Sequence, residues 1–338
     1  APTAGNSQDI EEDPGMTEEI PVGPIPWAIR LSHMLDLFHK VHGGDRYPVN
    51  VEQLIRDIPE TLQTGEPVVV EGRALDPEFE GALFNLNAGE DLPPSWAVVY
   101  NEALSSAGRI RFTLAHELGH YLCHRKIQGS FNCDEADTLE WDSPERQMEN
   151  QANQFASYLL MPRTDFEAQI GTSLIDLDVL GCCADRYGVS LTAAVRKWLE
   201  FTKHRAVLVM SYQGNVQYAC GSATGKWCSI ALNKRLSNGK KRSLPANCAT
   251  MTSSTTNVDR LGAEMSARVW FSQEPADMPL REMRIVSDQY RQTMTLLLLP
   301  PEVKPWERDT RDEDGDDDGG LESTIDRFER RGQPVNRS

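Results

Sequence analysis

The run from residue 109 to residue 125, RIRFTLAHELGHYLCHR, constrains this chain more than any other segment. Phe112, Leu114, Ala115, Leu118, Tyr121 and Leu122 fall on almost every side of a helix, which predicts a helix buried within a larger fold. Yet the same helix carries His116, His120, His124 and Glu117. Placing such groups in an apolar setting is unfavourable unless something satisfies them. His116 and His120 are four residues apart, so on a helix they point the same way, close enough to hold one ion. The competing structural reading is a buried helix whose histidines merely donate to backbone carbonyls.

A metal explains more of the pattern. Zinc accepts neutral imidazole nitrogens, and a hydrolytic zinc site keeps three protein ligands and one open position. Glu117 adjoins the first histidine without being placed to ligate, and can accept a proton from a water attacking a carbonyl. The third ligand must come from elsewhere. Glu149 is the leading candidate, because Ala152, Ala156 and Leu160 after it keep to one apolar face that can lie against the first helix. Glu145, one turn earlier, competes with it. So does His124, although a straight helix carries that ring about 6 Å beyond His120, which suits an outer or structural role better.

Around this helix the sequence predicts an α+β chain. Residues 1–24 are acidic and rich in Gly and Pro, and residues 302–338 contain DEDGDDDGG, so both ends are expected to be disordered acidic tails. Residues 25–170 form the domain that holds HELGH. Its expected parts are helices over 25–41 and 49–58 and a small three-stranded sheet from VVVEGRA, GALFNL and WAVVYN. A further helix starts at Ser143, a good cap, with Pro144 at its first position, and stops at Pro162. Residues 171–204 read as a helical hairpin, helix-turn-helix-like, joined by YGVS. From residue 206 the apolar period changes to two, so 205–301 is expected to be a separate α+β module. It opens with a hairpin turning at 213–215, REMRIVS and TMTLLLL read as strands, and DRLGAEMSARVWF reads as a helix.

At this point the residues show a family likeness. RIRFTLAHELGHYLCH followed by ENQANQFASYLLMP closely resembles the paired signature of the ImmA/IrrE family of metallo-endopeptidases, which includes the radiation-response regulators of Deinococcus. The resemblance covers residues 25–203. It implies a zincin-like metallopeptidase domain in which His116, His120 and Glu149 bind zinc, or manganese, and Glu117 is the catalytic acid/base. It further implies a protein partner, a helix-turn-helix repressor, whose cleavage under stress or DNA damage controls repair, phage or mobile-element genes. The alternative is a metal-bound regulator that sequesters a repressor or antitoxin without cutting it. A sensor role for 205–301 follows only by analogy. Tyr100, His204 and the polar loop over 127–143 are candidates for stabilising the oxyanion.

Composition narrows the rest. A net charge of −17 disfavours nonspecific nucleic-acid binding, and the second hairpin helix offers only Arg196 and Lys197 as cations, so DNA contact is not expected. The most apolar stretch, 296–299, is far shorter than the ~20 residues that span a bilayer, so no membrane partner is expected. No basic run followed by an apolar block directs export. The seven cysteines have no CxxC spacing and read as reduced thiols, which together predict a cytoplasmic protein. The run from Asp314 imitates a calcium loop but has Ile325 where a bidentate Glu is needed, so calcium is not expected.

Overall fold

The computed structural model describes residues 20–76, 79–104, 106–132, 143–233, 241–252, 258–287 and 292–300. Most of the two expected tails, the calcium-like run from Asp314, and Cys133 lie outside the described residues. Helix α1 (Pro24–His42) buries Trp27, Ala28 and Leu31. Helix α2 (Val51–Thr61) is capped by Asn50, whose side chain accepts from the Gln53 amide at 3.1 Å, and buries Ile55 and Ile58. Strands β1 (Val68–Arg73), β2 (Gly81–Asn85) and β3 (Trp96–Asn101) follow where three short apolar runs predict them.

Helix α3 (Ala107–Cys123) carries HELGH and is buried without a break from Thr113 to Leu122, so the all-round apolar pattern does mark an enclosed helix. Strand β4 (Ser130–Asn132) then joins the first sheet, giving the order β1-β3-β2-β4. The expected three-stranded sheet therefore needs correction to four strands. SFN is too short and polar to signal a strand by itself, and becomes one by pairing antiparallel with β2, Phe131 against Leu83. Helix α4 (Pro144–Leu160) starts at Ser143, whose hydroxyl accepts from the Arg146 amide at 3.2 Å, and packs along α3. Helix α5 (Arg163–Ile170) leads to the hairpin α6 (Leu177–Tyr187) and α7 (Leu191–Phe201), whose turn has Gly188 in the left-handed region.

The second sheet begins at β5 (Arg205–Tyr212) and β6 (Asn215–Gly221), joined by Gln213 and Gly214, both at positive φ as a two-residue hairpin turn requires. Helices α8 (Lys226–Asn233) and α9 (Ala249–Thr252) precede β7 (Val258–Ser266), β8 (Pro279–Ser287) and β9 (Gln292–Leu299). The order is β6-β5-β9-β8-β7, with every pairing antiparallel. DRLGAEMSARVWF is thus mostly strand and one 3-10 turn rather than a helix. Leu261, Met265 and Val269 have helical spacing, but pairing with β8 overrides it, and a bulge between Asp259 and Ala263 takes up the irregularity at Gly262.

Alternation along β5 and β9 divides the sheet into two faces. Ala206, Leu208, Met283, Met294 and Leu296 join the core that runs back to Trp27 in α1, whereas Val207, Val209, Leu297 and Leu299 pack with Cys228, Leu232 and Trp270. The hairpin α6–α7 covers the first face. Arg281 donates to the carbonyl of Ile175, and Arg260 pairs with Asp178 at 3.1 Å. No described helix is long and apolar enough to cross a membrane, and the six described cysteines are free thiols.

Candidate metal centre

Two close backbone approaches hold the centre of the first domain together. A methyl added at Gly119, inside HELGH, would lie 3.2 Å from the Cα of Ala152 and 3.1 Å from Phe155 Cδ1, so α3 and α4 touch almost backbone to backbone there. A methyl at Gly81 would meet Thr113 Cγ2 at 2.5 Å and come within 3.6 Å of Glu117 Oε1, so β2 lies directly against the Thr113 and Glu117 side chains of α3.

These approaches bring three side chains to one point. Glu149 Oε2 lies 3.1 Å from His116 Nε2, Glu149 Oε1 lies 3.2 Å from His120 Nε2, and the two Nε2 atoms are 3.0 Å apart. One ligand atom from each falls within 4.8 Å of the others, and all three residues are buried. Of the competitors, Glu145 is exposed and outside this group, and His124 stands behind His120 with its Nδ1 3.1 Å from His120 Nδ1. Glu117 is fully buried next to His116, and its charge acts on that imidazole.

The electrostatics favour a positive charge at the meeting point. Burial lowers the His120 imidazole to about 4 and keeps it neutral. Burial also opposes the charge on Glu149, yet the two imidazoles closed around it, at 3.1 and 3.2 Å, hold its carboxyl down at about 2. His116 is drawn toward neutrality by burial but more strongly toward a positive charge by Glu149 and Glu117, so its pKa is raised. Meanwhile Asn153 Oδ1 accepts from His116 Nδ1 at 3.0 Å, which leaves Nε2 as the nitrogen that faces Glu149. Two imidazole nitrogens and a carboxylate, gathered in a buried cluster that favours positive charge, suit a divalent transition metal.

Other residues from the sequence reading fall elsewhere. Tyr100 lies over Gly72 with Glu52 and Glu102 as acidic neighbours, and His204 lines a cavity with Trp198 and Ile175. Neither belongs to the cluster. Lys197, one of two cations on α7, is buried with its ammonium 3.3 Å from the centre of the Tyr158 ring and 2.9 Å from Glu200. Asn153, Gln151 and Phe131 went unnoticed in the sequence. Phe131 of β4 stacks on the His120 ring with centroids 4.4 Å apart. Asn153 also lines a groove of about 500 Å³ between α4 and α7, with Asn150, Arg196 and Glu200. The spacing of Glu149, Gln151 and Asn153 on one helix was the available signal.

Of three comparisons with known proteins, one bears on this site. Residues 79–199 match the profile of the IrrE N-terminal-like domain, Peptidase_M78. No curated protein matches the chain. Among solved structures, a Mycobacterium tuberculosis transcriptional regulator is similar at 12% identity, over 80% of this chain and 76% of that one, with a TM-score of 0.46. The profile spans both helices that meet at the candidate metal centre, and over residues 79–199 the chain carries a metallopeptidase-like domain of the ImmA/IrrE family.

Proposed function

We propose that this chain is a zinc-dependent endopeptidase that cuts a partner protein of the helix-turn-helix repressor type and so relieves repression under stress. The observation that supports it is the convergence of His116, His120 and Glu149 on one point. Those three would hold the metal, with zinc favoured over manganese by the two imidazoles. When bound, the cation would supply a Lewis acid that polarises the scissile carbonyl and lowers the pKa of water. Glu117, beside His116 and shielded from solvent, takes the proton of the attacking water and returns it to the departing amine. Among the described residues β4 is an edge of the first sheet, and Phe131 ties that edge to His120. An extended segment of the partner would pair along β4, where backbone hydrogen bonds hold it past the centre. The choice of a repressor as partner rests on the family likeness.

Glu117→Gln tests this reading. The purified full chain, zinc, and the helix-turn-helix repressor encoded nearest its gene are incubated, and new termini are sought by mass spectrometry. The wild type should cut at a defined bond, and the variant should keep its metal while losing about 10²–10⁴-fold in rate. Undiminished cleavage by the variant removes Glu117 from the chemistry. A stable complex of uncut partner with the wild type would point to sequestration instead.

A further inference from the structure

The outer contacts of the two histidines lead back to α4. His116 donates its Nδ1–H to Asn153 Oδ1 on that helix. His120 is linked to it indirectly: its Nδ1 lies 3.1 Å from His124 Nδ1, and His124 Nε2 lies 2.9 Å from Gln151 Oε1. The oxygen of an amide only accepts, so His124 Nε2 must carry a proton. A neutral imidazole has one N–H, which leaves His124 Nδ1 as an acceptor and makes His120 Nδ1 the donor to it. His120 Nε2 is then bare, and it is this atom that faces Glu149 and His116.

We propose that His124 and Gln151 are positioning residues that lock His120 in the tautomer whose Nε2 can take the metal. This rests on the metal reading given above. At about 100° per residue, Glu149 and Asn153 fall on one flank of the Gly119–Ala152 contact and Gln151 on the other, so α4 straddles α3. One helix thus supplies the carboxylate and the final acceptor for both imidazoles. His124 is buried, while Gln151 is exposed, so the chain of hydrogen bonds runs from the centre to the surface.

Exposure of Gln151 permits a test with little risk to folding. Zinc affinity of the full-length protein is measured by competition with a chromophoric chelator for wild type, Gln151→Leu, Gln151→Glu and the neighbouring exposed Gln147→Leu. Gln151→Leu should bind about 10-fold more weakly, within the range of outer-shell losses. Gln151→Glu keeps the acceptor and should bind at least as well as wild type, and Gln147→Leu should match wild type. His124→Asn, which retains an acceptor for His120, should exceed His124→Ala. Independently, long-range ¹H–¹⁵N spectra of the zinc-free protein should show the His120 proton on Nδ1. Wild-type affinity in Gln151→Leu, equal weakening in Gln151→Glu, or a His120 proton on Nε2 would each overturn the proposal. A wild-type chain that binds no zinc would sink the metal reading alone, since the spectra still decide the tautomer.

Discussion

Replacing Gly119 with Ala sets two rules against each other. Alanine for a glycine inside a helix normally adds about 0.5–1 kcal/mol of stability, because glycine has more backbone freedom to lose. At this position the added methyl would stand 3.2 Å from the Cα of Ala152 and 3.1–3.2 Å from Phe155 atoms. Ordinary carbon contacts need about 3.5–4.0 Å, and since Ala152 Cα is backbone, α4 as a whole must retreat by roughly half an ångström. Such overpacking costs about 1–3 kcal/mol, which leaves a net change between about zero and a loss of about 2.5 kcal/mol, against a gain at an open position. Gly181 in α6 is the matched control, since only Arg260 Nη1, at 3.9 Å, lies near its added methyl, and Gly181→Ala should gain about 0.5–1 kcal/mol. Glu149 rides on α4 one turn before Ala152, and a displacement of about half an ångström reaches the tolerance of a metal site, so zinc affinity should also fall about 10-fold. Urea midpoints at unchanged slope report the first effect and chelator competition the second. If Gly119→Ala gains as much stability as Gly181→Ala, the two helices are not in the tight contact that aligns Glu149.

Three further outcomes are expected. Glu149→Gln should weaken zinc binding by more than the ~10–100-fold of outer-shell changes, while Glu145→Gln on the exposed first turn should leave chelator titrations unchanged. Asp165→Asn should lower stability by about 1 kcal/mol near neutrality, allowing for solvent screening at its partly exposed partner. Burial alone would raise the Asp165 carboxyl, but Arg186, at 2.9 Å, and the Tyr187 hydroxyl, at 2.6 Å, hold it below its usual value. A depressed carboxyl stabilises above its unfolded pKa, so the gap between wild type and Asp165→Asn in urea melts should close as pH falls through and below about 4. Glu282→Ala should cost about 3–5 kcal/mol by the same assay. Its buried carboxylate accepts from the Ala249 and Thr250 amides, the Thr250 hydroxyl and Trp270 Nε1, and the alanine would strand the two amides and the indole N–H while the hydroxyl keeps Thr295.

How far the sequence could be read depended on where each feature's cause lies. HELGH, the Ser143 cap and the hairpin turn at Gln213–Gly214 are local, so they were visible. The meeting of α3 with α4 was legible because Ala152, Ala156 and Leu160 leave one smooth apolar face, which placed Glu149 next to the histidines. Strand β4 was not, since Ser130–Asn132 owes its form to β2 rather than to its own residues. The same cause hid β7, whose helical spacing at Leu261, Met265 and Val269 gave way to pairing with β8. Gln151 and Asn153 looked like ordinary surface amides, and only the position of the α3 imidazoles gives them partners.

The face of the second sheet that lies under α6 and α7 has a practical bearing on work with fragments. Ala206, Leu208, Met283, Met294 and Leu296 belong to the same apolar core as Leu180, Tyr187 and Trp198. A protein cut after residue 204, just beyond the end of the recognised family segment at 199, would strip that cover and leave a sticky apolar surface in water. Fragments meant for crystallisation or assay should therefore run through β9 to Leu299, for a shorter piece trades a folded domain for an aggregate.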